Sequence, residues 1–147
     1  NVPADPSALP PVLDVEWNGH SQKCPKRLPK AEALAMMRVM LAEMEAYTGK
    51  RPIIYTDITF HKDVLEGELP DYPHWVRSTA AEPEQRFANR QWMLWQFTST
   101  GRVPGVRGDV DRNAFYGTQA EWASFLATDC DPRVHGVLSR QGLCTGK

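Results

Sequence analysis

Pro10-Pro11-Val12-Leu13-Asp14-Val15-Glu16-Trp17 sets two carboxylates two residues apart inside an apolar run. Extended backbone points residues i and i+2 to one face. Asp14 and Glu16 therefore project together, while Leu13, Val15 and Trp17 pack on the other side. Burying two acids in an apolar strand costs desolvation energy, which marks them for chemistry. Same-face neighbours on a strand lie about 6.5–7 Å apart at Cα. Paired carboxylates do general acid/base work when their surroundings push their proton affinities apart. In glycoside hydrolysis one acid protonates the leaving oxygen, and a second group stabilises or attacks the anomeric carbon. A strand end whose acids cap a loop or meet an arginine has the same spacing.

The flanking sequence predicts a run of alternating elements. Residues 1–9, with Pro3 and Pro6, read as a loop leading into the strand at 10–17. Residues 18–29 are a polar loop. Residues 30–48 contain no Gly or Pro and repeat Leu34, Met37, Leu41 and Met44 at helical spacing, so they predict a helix with a core-facing stripe, stopped by Gly49. Strands are predicted at 52–56, 74–78, 91–97 and 109–115, a short helix at 58–66, and a last helix from Thr118 to about Ala127 with Trp122 and Phe125 inward. Residues 80–90 and 98–108 read as irregular. Strand–helix alternation predicts a parallel sheet. Acids at strand ends match the layout of a barrel enzyme, whose site lies at the carboxyl ends of its strands. About five strands are countable where a closed barrel has eight.

The chain has 147 residues, enough for one domain with a core. Net charge −1 and a pI near 6.5 exclude the clustered basic footprint of a nucleic-acid binder. Lys23, Lys26, Arg27 and Lys30 are interrupted by Cys24 and Pro25 and read as a solvated loop. No run approaches the roughly 20 apolar residues of a membrane span. Asn1-Val2-Pro3-Ala4-Asp5 has no signal-peptide pattern. The chain lacks an initiator Met, so Asn1 is not expected to be the first residue of the gene product. Cys130 and Cys144 lie in a polar tail, residues 129–147, and are expected to close a short loop; the alternative is three reduced thiols. Cys24 is then left over.

Other groups extend the candidate site. Asp111 and Asn113 are again i and i+2, suited to hydrogen-bonding sugar hydroxyls or an acetamido group, or to an Asx turn. Trp17, Tyr55, Trp75, Trp92, Trp95 and Phe97 supply aromatic faces on which sugar rings stack, although any single Trp is as readily core. Trp92 and Trp95 are three apart, which in a strand sends them to opposite sides. His20, His61, His74 and His135 have no metal-ligand spacing, so neither a metal nor another cofactor is expected. No G-x-S-x-G elbow or phosphate-cradling glycine loop occurs.

Five stretches together carry a resemblance: Leu9-Pro-Pro-Val-Leu-Asp-Val-Glu-Trp17, Thr48-Gly-Lys-Arg-Pro-Ile-Ile-Tyr-Thr56, Tyr72-Pro-His-Trp-Val76, Leu94-Trp-Gln-Phe-Thr-Ser-Thr-Gly-Arg-Val-Pro-Gly105 and Val110-Asp-Arg-Asn-Ala-Phe115. In order and spacing the sequence resembles glycoside hydrolase family 25, the Chalaropsis-type lysozymes. The resemblance implies an α/β fold, an irregular TIM-like (β/α)5(β)3 barrel whose carboxyl-terminal part occupies residues 1–128. It implies a muramidase that cuts the β-1,4 bond between N-acetylmuramic acid and N-acetylglucosamine. Its partner would be peptidoglycan glycan strands, and its place the extracellular space, periplasm or cell wall. Glu16 would be the general acid. Asp14 would assist the substrate's acetamido group or stabilise the oxocarbenium-like state, and Asp111 would be a third acid. Tyr55, Trp75, Trp95, Gln96 and Asn113 would contact sugar.

The family's first three strands, and the aspartate of a D-x-S-type stretch, would precede residue 1. That corresponds to roughly 70–100 residues, at a few dozen per βα unit. A parallel sheet cut there exposes an edge strand open to pairing with another chain. Two function classes follow: an enzyme acting through Glu16, or a non-catalytic module holding peptidoglycan through Trp75, Trp95 and Asp111. The D-x-x-D-x-D-x-E strand of chitinases is absent from the sequence.

Overall fold

The structure is a computed structural model and describes residues 5, 7–24, 26–87 and 89–127. Cys130, Cys144 and His135 lie outside the described residues, as does the tail at 129–147. Among the described residues, Cys24 is an exposed free thiol, and no helix is long and apolar enough to cross a membrane.

Five strands form one sheet in sequence order: β1 (Val12–Val15), β2 (Ile53–Asp57), β3 (His74–Arg77), β4 (Leu94–Gly101) and β5 (Val110–Phe115). Helix α1 (Lys30–Thr48) connects β1 to β2. A single α turn, α2 (Ile58–Phe60), runs into a π turn at His61–Leu65 after β2. The short α3 (Pro83–Arg86) falls in the stretch expected to be irregular, and α4 (Gln119–Leu126) follows β5. The first four strands are parallel, as strand–helix alternation requires. β5 departs from the expected parallel sheet and runs antiparallel to β4. Its connection, residues 102–109, is too short for a crossover, and an ion pair between Arg102 and Asp109, at 2.9 Å, spans it.

β4 extends to Gly101, into residues expected to be loop, because β5 pairs with it through register shifts around Thr98 and Gly101. A Cβ at Gly101 would lie 2.9 Å from the backbone oxygen of its partner Val110 as well as against the Arg112 side chain, so glycine suits the pairing. The expected barrel is not closed among the described residues: the sheet is open, with β1 and β5 at its edges.

The larger core cluster lies on one face of this sheet and a smaller one on the other. Leu13 and Ile54 pack beneath Ala33, Leu34, Met37 and Leu41 of α1 and beneath Phe60, Val64 and Leu65. Met44 joins them, half-buried, completing the helical stripe. Pro29 precedes α1 without a side-chain cap, and Gly49 ends it at φ 68°, donating its N–H to Glu45 O at 2.8 Å. α4 begins with a capping box: Thr118 N donates to Glu121 Oε2 at 2.6 Å, and Glu121 N donates to Thr118 Oγ1 at 3.2 Å. It carries Trp122 and Phe125 onto Ile53, Met93, Leu94 and Phe115.

Two histidines are buried in the core. His74 donates from Nδ1 to Tyr72 O at 2.8 Å, leaving Nε2 without a partner among the described residues. His61 Nε2 accepts from Arg90 Nε at 3.2 Å. Arg90 also binds the carbonyls of Leu65 and Glu68. Burial, reinforced by Arg90, lowers His61 to about 4 and His74 to about 3. Both are therefore neutral in the folded protein, whereas the unfolded chain binds protons near 6.5. Stability falls as pH drops below 6.5, and continues to fall to about 4 for His61 and about 3 for His74.

Each histidine contributes at most about 1.4 kcal/mol per pH unit in that window. Urea midpoints should fall progressively below pH 6.5, and His74→Asn, which keeps the donor to Tyr72, should flatten the slope. Leu41 is fully buried, so Leu41→Ala should cost about 2–5 kcal/mol in the same urea measurement.

Candidate active site

The core packing decides where the acids go. Leu13 and Ile54 are committed to the helices, so Asp14, Tyr55 and their same-face neighbours turn to the opposite side. Strand register then assembles two rows on that side. The lower row runs Asp14, Tyr55, Trp75, Leu94, Phe115 from β1 to β5. The upper row runs Asp57, Arg77, Gln96, Asn113. Glu16, one residue beyond β1, continues the register toward Asp57. The upper row stands toward the carboxyl ends of the parallel strands.

Hydrogen bonds tie the rows together. Tyr55 OH donates to Gln96 Oε1 at 2.6 Å, reaching across β3. Trp75 Nε1 donates to Asn113 Oδ1 at 2.9 Å, reaching across β4. The Tyr55 and Trp75 rings meet edge to face, with centroids 5.2 Å apart. Gln96 is buried and Asn113 exposed. Asp111 and Asn113 belong to β5 rather than to an Asx turn.

Both β1 acids remain exposed, contrary to the buried pair expected from the apolar run. Among the described residues β1 ends the sheet, so solvent reaches them. Partial desolvation still raises both. Glu16 is raised further by the Asp14 and Asp57 carboxylates, while Arg77 acts in the opposite sense. Burial pushes the Tyr55 phenol up to about 12; Glu16, Asp14 and Asp111 add to this and Arg77 opposes it. Asp111 thus faces the same aromatic centre as the β1 acids.

The structure brings together Asp14, Glu16, Tyr55, Trp75, Gln96, Asn113 and Asp111. It does not bring Trp95 to them. Trp95 pairs with Val76 and Ala114, on the face away from the acids, and its Nε1 donates to Ser78 O at 2.8 Å. Trp92 precedes β4, so the expected split of Trp92 and Trp95 between two faces does not arise; their rings meet at 6.0 Å. Asp57 and Arg77 were not singled out in the sequence. Their signal was the i+2 step beyond Tyr55 and beyond Trp75. Among the described residues, no group of three or more His, Cys, Asp or Glu side chains is placed to hold a metal ion.

Comparison with known proteins gives this geometry relatives. The uncharacterized protein YegX of Escherichia coli O157:H7 is 35% identical over 121 residues, which span 80% of this chain and 40% of that protein. Lysozyme M1 of Streptomyces globisporus is 32% identical over 120 residues, 79% of this chain and 40% of its own length. The chain thus spans 40% of the length of the curated relatives it matches. A family 25 glycosyl hydrolase from Bacillus anthracis superposes with a TM-score of 0.71 at 29% identity, over 83% of this chain and 56% of that one. A bacterial lysozyme from Streptomyces coelicolor gives 0.63 at 30% identity, over 85% and 58%. The family described as Glycosyl hydrolases family 25 matches residues 1–106, a span that includes β1 to β4 and both β1 acids, and the chain belongs to that family.

Proposed function

We propose that this chain carries the acid-bearing side of a peptidoglycan hydrolase that cleaves the β-1,4 bond between N-acetylmuramic acid and N-acetylglucosamine. The observation that carries the reading is the shared face: Glu16, Asp14 and Asp111 look onto the same surface as Tyr55, Trp75, Gln96 and Asn113. Glu16 is the general acid. Its raised proton affinity keeps it protonated to higher pH, as a group delivering a proton to a leaving oxygen requires. Asp14, beside it, assists the acetamido group or stabilises the oxocarbenium-like state, and Asp111 adds negative charge from β5. Trp75 supplies the apolar face for a sugar ring. Gln96, fixed by Tyr55, and Asn113, fixed by Trp75, present amides to hydroxyl and acetamido groups. The substrate places the protein at the cell wall.

A second reading has its own observation. Tyr55, Trp75, Gln96 and Asn113 already hold one another through hydrogen bonds and ring contact, a surface that can hold glycan without the acids acting. In that reading the chain binds peptidoglycan without cutting it.

Purified sacculi separate the two readings. Release of reducing ends by the chain supports the hydrolase; co-sedimentation without release supports the binding module. In an active form, Glu16→Gln should reduce release by about 10²–10⁴-fold while changing stability by no more than about 0.5 kcal/mol. Full activity in that variant would remove Glu16 from its role. Tyr55→Phe, which frees Gln96, should weaken sacculus binding about five-fold, the equivalent of about 1 kcal/mol.

A further inference from the structure

β3 and β4 begin beside a cavity of about 220 Å³. It lies at the amino ends of these strands, away from the carboxyl-end row of Asp57, Arg77, Gln96 and Asn113. The acid-bearing face makes no use of it. Sites for drug-sized ligands span roughly 300–1,000 Å³, so this smaller volume suits a molecule of about one ring. Pro70, Pro73, Tyr72 and Trp92 give the cavity apolar walls, and His74 and Arg90 give it polar ones.

These walls are fixed by bonds that need no ligand. Pro73 O accepts from Ile54 N at 2.9 Å, and His74 O accepts from Met93 N at 2.8 Å, which ties both strand starts to their neighbours. Trp92 donates from Nε1 to Glu84 Oε1 at 2.9 Å. Its ring meets those of Trp95 and Tyr116 edge to face, at 6.0 and 4.9 Å. Asn89 takes φ 61°, and Arg90 N donates to Phe87 O at 2.7 Å, a tight turn from which Arg90 reaches His61.

The polar groups of the cavity are only partly satisfied. His74 is 1% exposed. Its Nδ1 donates to Tyr72 O, which fixes the tautomer and makes Nε2 an acceptor. Among the described residues that acceptor has no partner. An unpaired buried acceptor is destabilising, so the cavity favours a molecule that brings it a donor. Arg90 spends Nε on His61 and Nη2 on the carbonyls of Leu65 and Glu68. Nη1 is its remaining donor group. The cavity therefore lacks a donor for Nε2 and an acceptor for Nη1. Hydroxyls supply both. A carboxylate has no proton to give Nε2, and an ammonium has no lone pair for Arg90.

We propose that this cavity binds a neutral, hydroxyl-bearing ring the size of one sugar, its hydroxyls donating to His74 Nε2 and accepting from Arg90, its C–H surface lying against Trp92 and Tyr72. The site is separate from the acid-bearing face, and its occupancy does not depend on Glu16 acting as an acid.

The probe is N-acetylglucosamine, titrated into the whole chain at neutral pH while the imidazole nitrogens are followed by ¹⁵N NMR. The His74 Nε2 resonance should move saturably as it gains a donor, with a Kd of about 1–10 mM. Trp92→Ala should weaken that response about five-fold or more. His74→Asn keeps the donor to Tyr72 but removes the acceptor, and should abolish the saturable shift of the Trp92 indole N–H. Asn113→Ala should leave the His74 response unchanged, which separates this cavity from sugar held on the acid-bearing face. The titration of the unmodified chain decides the matter if a variant does not fold. A His74 Nε2 resonance that stays still up to about 100 mM sugar overturns the proposal. So does a response that disappears in Asn113→Ala, or one given by inorganic phosphate and not by the sugar.

Discussion

The two-residue period of β1 is the constraint on which this structure depends. Leu13 is committed to the core under α1, together with Ile54. With that side fixed, Asp14 and Glu16 have no other direction to take. A slip of one residue would send both acids into the apolar layer beneath α1 and turn Leu13 to solvent. The penalty for that slip is desolvation of two carboxylates together with loss of a buried leucine. The acid-bearing face is in this sense maintained by the helices on the far side of the sheet.

The chemistry of the site is shared across strands rather than concentrated in one. Tyr55 reaches over β3 to Gln96, and Trp75 reaches over β4 to Asn113. These bonds span alternate strands, so each amide is oriented from a strand that is not its own neighbour. Long aromatic side chains make this possible, because they lie across the sheet and still end in a donor. The consequence is a surface on which the buried Gln96 and the exposed Asn113 both hold fixed directions.

Much of this was legible in the sequence, and the failures have physical causes. The stripe Leu34, Met37, Leu41 marked α1 because a 19-residue helix without glycine or proline leaves little ambiguity of period. The i and i+2 steps at Asp14/Glu16 and Asp111/Asn113 put those residues on the correct face of their strands. Trp95 was misplaced because composition tells an aromatic residue from a polar one but not an inner face from an outer one. One residue of register separates it from Gln96, and the two lie on opposite sides. The exposure of the acids was missed because it follows from β1 being at the sheet edge. Asp57 and Arg77 went unnoticed because their signal was only the i+2 step beyond Tyr55 and Trp75, which any strand residue shares. Antiparallel β5 followed from an eight-residue connection that reads in sequence only as loop.

α4 has a consequence for the shape of the cleft. Trp122 and Phe125 lie against Ile53, Leu94 and Phe115, which belong to the same side of the sheet as the acids. The helix therefore acts as a stop beneath the lower row. From the carboxyl ends of the strands inward come two tiers of side chains and then packed aromatic rings. Val12, on β1, stays exposed. α4 thus packs its rings on the row of Leu94 and Phe115 rather than on the carboxyl-end row of Asp57, Arg77, Gln96 and Asn113.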